Sequence, residues 1–391
     1  MNTKDYDYFR DLNFTVSLIW LIVFCIPRNT SAYPILCQAL SIIWFIGMIW
    51  AIAVFLKGRY YRIRWYFPLL ALFFLMIICT LLNDLSALKT ALLTICRMFS
   101  VTVLSEHLFV LDSKRAITRI AKIWALLLLI EAFSQITHCF GYTSTNNTTH
   151  LNNYLFGIRV DINQYVIYSF AFVCFAACLG NKKEKIIAAI AIISGLYFVI
   201  AEQVSTSIVG CATFFIVFFA SKAVKNKKIW RFIVIFALAF VILFILFQDT
   251  EQFRWLLVDL LNEDITLNGR TILWNQAIKQ IIDGRWMFGY GISPPYILRL
   301  SSSFVVNHPH NQYIQFVYNY GVCGLILYLI MNANMIKKIK VISDSRIRVI
   351  HIAVLIATFF MCLASRNFFY LTAQIYYVVV RYLDKTVKIP D

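Results

Sequence analysis

Apolar residues along this 391-residue chain gather into runs separated by short polar or basic links. About 17–25 such residues carry an α-helix across a hydrocarbon core of about 30 Å. Runs of that order predict twelve helices, at 14–28, 33–56, 66–82, 89–111, 122–140, 163–180, 186–202, 205–221, 231–248, 312–333, 349–366 and 369–384. The fold class expected is all-α: a polytopic transmembrane helical bundle of about 12 helices, forming a single transmembrane domain over residues 1–391. The first run lacks a small-residue cleavage site and is expected to stay as the first helix of the bundle. Between helices nine and ten the pattern lapses over 248–311, and a loop of that length in a compact protein is usually functional.

The long loop has a helical period of its own. After Asn268, a capping residue, RTILWNQAIKQIIDG places Leu273, Trp274, Ala277, Ile278, Ile281 and Ile282 at helical spacing and stops at Gly284. Arg270 and Trp274, four apart, share one face of that helix. FRWLLVDLL at 253–261 reads as a segment lying along the membrane surface, and GYGISPP at 289–295 turns the chain back toward the bilayer.

Composition narrows the class further: 61% hydrophobic and 14% charged residues exclude an ordinary soluble domain. A formal net charge of +17 would suggest nucleic acid in a soluble protein, so its distribution decides its meaning. The links at 57–64, 112–122, 180–185, 221–231 and 334–348 hold 21 of the 36 Lys and Arg. All five lie on one side of the twelve-helix pattern, and the positive-inside rule makes that side cytoplasmic, together with both termini. The charge is a topology signal, and no nucleic-acid partner is expected. The ten cysteines lie almost wholly in apolar runs without a CxxC pair and read as small hydrophobes.

Candidate chemistry gathers where the long loop re-enters the membrane. Asn307, His308, His310, Asn311 and Gln312 form a polar group at the outer end of helix ten. Polar and ionisable groups at such a depth are costly unless a cavity or partner accepts them. A histidine, with an unperturbed pKa of about 6.5, can take a proton from an alcohol near neutral pH. The bland reading is that Asn307 or the histidines only satisfy the free N–H groups of helix ten. Two histidines two apart, with no HExxH and no outward cysteine pair, argue against a metal. Inside the helices, Arg97 and Glu131 are ionisable groups that either pair with each other or contact substrate.

The spacing His310-Asn311, nine residues, Gly321, two residues, Gly324 resembles the signature of the bacterial O-antigen polymerase and O-antigen ligase superfamily. NGRTILW at 268–274 is similar to that family's G-R-x-x-x-W element, and GIRVDINQY at 157–165 to its earlier Arg and Asn element. The resemblance implies a membrane glycosyltransferase at the periplasmic face of the bacterial inner membrane. Its donor would be an undecaprenyl diphosphate-linked oligosaccharide, and the loop 248–311 would be a periplasmic lid over the site. Membrane lipids surround it, and a chain-length regulator protein is among the partners implied. His310 would be the base, with Arg270 and Arg159 neutralising the diphosphate through guanidinium forks that lysine lacks. Asn163, Trp274, His308, Asn311 and Arg97 would bind substrate. The first outward link, RNTSAY, has no acid, so metal-independent chemistry without a cofactor is expected. A departure from the family stands at VSTSIVG (204–210), where a Ser-Arg pair is often found and no arginine is present. That leans the reading toward a polymerase, which hands glycan to another carrier-linked repeat unit, over a ligase, which hands it to lipid A core. A lipid-linked glycan flippase or other transporter is the rival outside the enzyme class. Such folds usually show two similar halves, and this chain shows no repeat.

Overall fold

The computed structural model describes residues 3–25, 34–58, 63–137, 142–143, 152–154, 157–202, 205–220, 235, 239, 270–292, 298–299, 305–306, 308–363, 365, 368 and 371–383. Its long helices are α1 (Thr3–Cys25), α2 (Pro34–Lys57), α3 (Ile63–Asn83), α4 (Leu88–Thr137), α5 (Arg159–Leu179), α6 (Lys182–Glu202) and α7 (Ser205–Phe219), then α8 (Arg270–Asp283), α9 (Gln312–Lys340), α10 (Ser345–Met361) and α11 (Leu371–Tyr382). Five of them carry spans long and apolar enough to cross a membrane: Tyr8–Cys25, Gln38–Lys57, Trp65–Asn83, Lys182–Ala201 and Gln312–Lys340. The helix expected at 231–248 lies outside the described residues except for 235 and 239, and Asn307, the capping Asn268 and the surface segment 253–261 lie outside them entirely.

Several links expected as loops are helical. In α4 only Asp112, at φ −163° and ψ 97°, breaks the helix between expected helices four and five. Its Oδ1 accepts from Arg115 N at 2.9 Å, so the break also caps the second half of α4. The link expected over 112–122 winds up because Ala116, Ile117, Ile120 and Ala121 all bury on one stripe of the bundle. At 181–184 a reciprocal cap starts α6 four residues earlier than expected: Lys183 N donates to Asn181 Oδ1 at 2.8 Å, and Asn181 N donates to Glu184 Oε2 at 3.1 Å. α9 likewise runs on to Lys340, with Lys337, Lys338 and Lys340 placed against the carbonyl end of its dipole.

The long α4 is the spine of the molecule, packing against α1, α2, α3, α5, α6 and α11. α10 lies against α5 and α7, and α9 against α3 and α8. On α2 the large side chains Ile42, Phe45, Ile46, Ile49, Ile52 and Leu56 are exposed, the inverse of a soluble surface and suited to lipid.

The fold is helical with two small additions. In the loop between α4 and α5, β1 (Tyr142–Thr143), β2 (Asn152–Tyr154) and β3 (Gly157–Ile158) form an antiparallel ladder, pairing Tyr142 with Asn153 and Asn153 with Ile158. β3 passes directly into α5 at Arg159. In the long loop β4 (Leu298–Arg299) pairs antiparallel with β5 (Val305–Val306).

Candidate active site at the head of helix α9

The turn His308-Pro309-His310-Asn311 leads into α9. Proline restricts the residue before it to extended backbone and fixes its own φ. Pro309 is buried while both histidines are partly exposed, so the turn is pinned at its centre and presents two imidazoles. Their ring centroids are 4.0 Å apart at 66°. Among the described residues His310 is the one non-glycine at positive φ, 54°. An L-residue with a Cβ adopts that region only where the surroundings hold it there.

The backbone amides at the head of α9 are all engaged. Asn311 is the N-cap, its Oδ1 accepting from Tyr313 N at 3.0 Å and Ile314 N at 3.2 Å. Gln312 N donates to Cys362 O and Gln315 N to Asn311 O, both at 2.8 Å. The first four backbone amides are thus committed, and the helix offers an anion its dipole but no free backbone donor. Capping falls to Asn311, while Asn307, also expected to cap, lies outside the described residues. Asn311 is wholly buried, which removes it from the surface a substrate meets. Gln312 Oε1 accepts from Phe368 N at 3.0 Å, tying the same helix head to the corner between α10 and α11.

The loop helix α8 lies against α9, burying Thr271, Leu273, Trp274, Ala277 and Ile281. Trp274 is fully buried, and its indole Nε1 donates to Pro309 O at 2.7 Å. A ring with no exposed face has nowhere to stack a sugar, so its expected place among the substrate contacts is corrected to one inside the wall of the site. Arg270, one turn earlier on α8, is partly exposed. The structure therefore joins Arg270, Trp274, His308 and His310 in one neighbourhood.

Arg97 rides over the Trp44 ring at 3.3 Å from its centroid, a cation–π contact between α4 and α2. Neither the Glu131 pairing nor the substrate reading anticipated that contact. Arg159 and Asn163 lie in the first two turns of α5, and their side chains are outside the described residues.

One feature of the site was missed from the sequence. At Gly321 (φ 67°, ψ −174°) α9 breaks, and the segment 286–291 docks into the break backbone to backbone. Tyr290 N donates to Tyr318 O at 2.9 Å, Gly291 N to Asn319 O at 2.7 Å, and Val322 N to Trp286 O at 2.8 Å. A Cβ on Gly321 would stand 1.9 Å from Met287 O, and one on Gly289 2.4 Å from the carbonyl carbon of Asn319. The paired glycines of the signature thus include a docking notch for the loop. Side chains close it: Tyr318 OH donates to Gln280 Oε1 and Tyr290 OH to Gln280 O, both at 2.7 Å. Asn83 Nδ2 of α3 donates to Gly289 O at 3.1 Å. The GYG triplet beside a second glycine pair was the available signal.

Among the described residues no group of three or more His, Cys, Asp or Glu is placed to hold a metal ion. No curated protein matches the chain. Residues 166–329, a segment that begins just after Arg159 and Asn163 and holds Arg270, Trp274, both histidines and the Gly321 break, match the family model described as O-antigen ligase.

Proposed function

We propose that the protein is an O-antigen, or surface polysaccharide, polymerase of the bacterial inner membrane, acting at the periplasmic face. The donor is an oligosaccharide on undecaprenyl diphosphate, and the acceptor is a sugar hydroxyl of another carrier-linked repeat unit. The observation that carries the reading is the turn at the head of α9. Two partly exposed imidazoles sit 4.0 Å apart on a buried proline, inside the segment that matches the family.

In this mechanism His310 takes the proton of the acceptor hydroxyl as its oxygen bonds to the anomeric carbon of the donor. The bond from that carbon to the diphosphate oxygen breaks, and the carrier diphosphate leaves with the electron pair. Arg270 and Arg159 neutralise the growing charge, a task for guanidinium because the amides at the head of α9 are already used. His308, stacked edge-on to His310, limits where the second ring can turn.

The family's description favours a second reading, an O-antigen ligase delivering the glycan to lipid A core. Against it stands the start of α7, STSIVG, which lacks the arginine of the Ser-Arg pair often found there in the family it resembles. Deletion of the gene, with His310→Ala expressed at matched level, separates the two on a lipopolysaccharide gel. Core bearing one repeat unit without a ladder marks a polymerase. Core with no repeat, beside accumulated long carrier-linked glycan, marks a ligase. An unchanged ladder in the deletion removes both and leaves a transporter.

A further inference from the structure

We infer that Trp274 is a positioning residue: its indole N–H, by holding the Pro309 carbonyl, fixes His310 in its left-handed backbone and sets the base against the arginine at the head of α8. The inference rests on the proposed role of His310 and adds a residue that acts only through it. The indole donates to Pro309 O at 2.7 Å across 35 residues of sequence. The acceptor belongs to the peptide whose nitrogen is that of His310, so the bond orients the plane from which the φ of 54° is measured. The conformation at His310 is unfavourable for an L-residue unless its surroundings impose it.

The same bond sets a distance. Arg270 stands one helical turn before Trp274, and Leu273, Ala277 and Ile281 seat α8 on α9 below it. The indole is thus the point at which the helix bearing the cation meets the turn bearing the base. A packing role alone would be served by any large ring, whereas holding a carbonyl requires the N–H. Phenylalanine separates the two, because it fills much of the same space and donates nothing.

The experiment compares wild type, Trp274→Phe and His310→Ala in proteoliposomes, with carrier-linked repeat units extracted from a strain deleted for the gene as substrate. Trp274→Phe is expected to lower kcat about 10- to 100-fold, the scale set by a misplacement near 1 Å, with KM within twofold and unchanged thermal stability. A raised KM at unchanged kcat would overturn the inference in favour of sugar binding, and wild-type values of both would leave Trp274 as packing. If His310→Ala itself turns over at the wild-type rate, the reading beneath the inference falls with it. If His310→Ala is impaired and Trp274→Phe is not, the inference alone falls. Should Trp274→Phe lose stability along with rate, Trp274→His, whose ring N–H can donate, supports the inference if it regains part of kcat over Phe and overturns it if it does not.

Discussion

Replacing Gly321 by alanine tests whether the break in α9 is a latch for the long loop. The new methyl would stand 1.9 Å from Met287 O, 2.1 Å from Met287 C and 2.4 Å from Phe288 N, all backbone atoms that no rotamer can move. Ordinary contact begins near 3.4 Å, so the loop must retreat by about 1.5 Å. That retreat breaks the bonds from Val322 N to Trp286 O at 2.8 Å and from Cys323 N to Met287 O at 3.5 Å. Each is worth about 1 kcal/mol net. Backbone strain at φ 67° and ψ −174° adds about 1–3 kcal/mol for a residue with a Cβ. The sum, roughly 3–5 kcal/mol, falls on the docking of 284–292 more than on the membrane-embedded bundle. Limited proteolysis in detergent micelles, read by mass spectrometry, is the assay: Gly321→Ala is expected to open a cleavage site between residues 284 and 292 that wild type lacks, with loss of glycan polymerisation. Gly324→Ala is the control, since it crowds the Cβ of Tyr320 at 2.4 Å without a positive φ and should cost less. Wild-type protease resistance and activity in Gly321→Ala would refute the latch.

Two other contacts set further expected outcomes. Glu106 of α4 accepts from Arg381 at 2.8 Å and from Tyr382 OH at 2.5 Å, and the pair is nearly buried, so Arg381→Met should destabilise by about 3–5 kcal/mol while Glu106→Gln/Arg381→Met recovers much of it; thermal unfolding in detergent checks both. Asp344 caps α10 through Arg346 N at 2.7 Å, and Asp344→Ala should cost about 1 kcal/mol in the same assay. Burial opposes ionisation of Asp344, but the Arg346 guanidinium and backbone N–H outweigh it and hold the carboxyl below the usual carboxylate range. Its contribution is therefore fully present above the unfolded value, near 3.9, and lost as pH falls through the lower folded value. An Asp344→Ala stability difference that persists undiminished at pH 2 would contradict that assignment.

Local signals were legible in the sequence and long-range docking was not. The apolar runs gave most of the described helices, and the polar cluster before Gln312 gave the candidate site, because both are patterns within a few residues of each other. The capping pair Asn181 and Glu184 was equally local, and the link there was expected as loop only because its lysines read as topology charge. Asp112 shows the opposite limit: a basic stretch with a helical apolar stripe folds as helix once α4 has neighbours on all sides to bury that stripe. Trp274 and Asn311 were recognised as belonging to the site, but their roles turn on burial and on partners such as Pro309 that periodicity does not report. The notch at Gly321 needs Trp286 to Gly291 on the other side of it, a pairing with no period at all.

That notch changes what the long loop does. A lid that shuts out water must swing, yet α8 is held at one end by Trp274 on Pro309 and at the other by the backbone bonds of 286–291 to α9 and the Gln280 contacts of Tyr290 and Tyr318. A helix fixed at both ends serves as a wall, and the exclusion of water that protects the donor from hydrolysis would then come from standing packing. Locking the loop distinguishes wall from lid. Val322 N bonds to Trp286 O at 2.8 Å, which makes the two residues direct neighbours across the notch. Trp286→Cys/Val322→Cys in a Cys323→Ser background should therefore cross-link on mild oxidation, as read by peptide mapping. A wall keeps its turnover when cross-linked. If oxidation instead stops turnover and dithiothreitol restores it, α8 must leave α9 in every cycle, and the contacts at Trp274 and Gly321 describe only the closed half of that cycle.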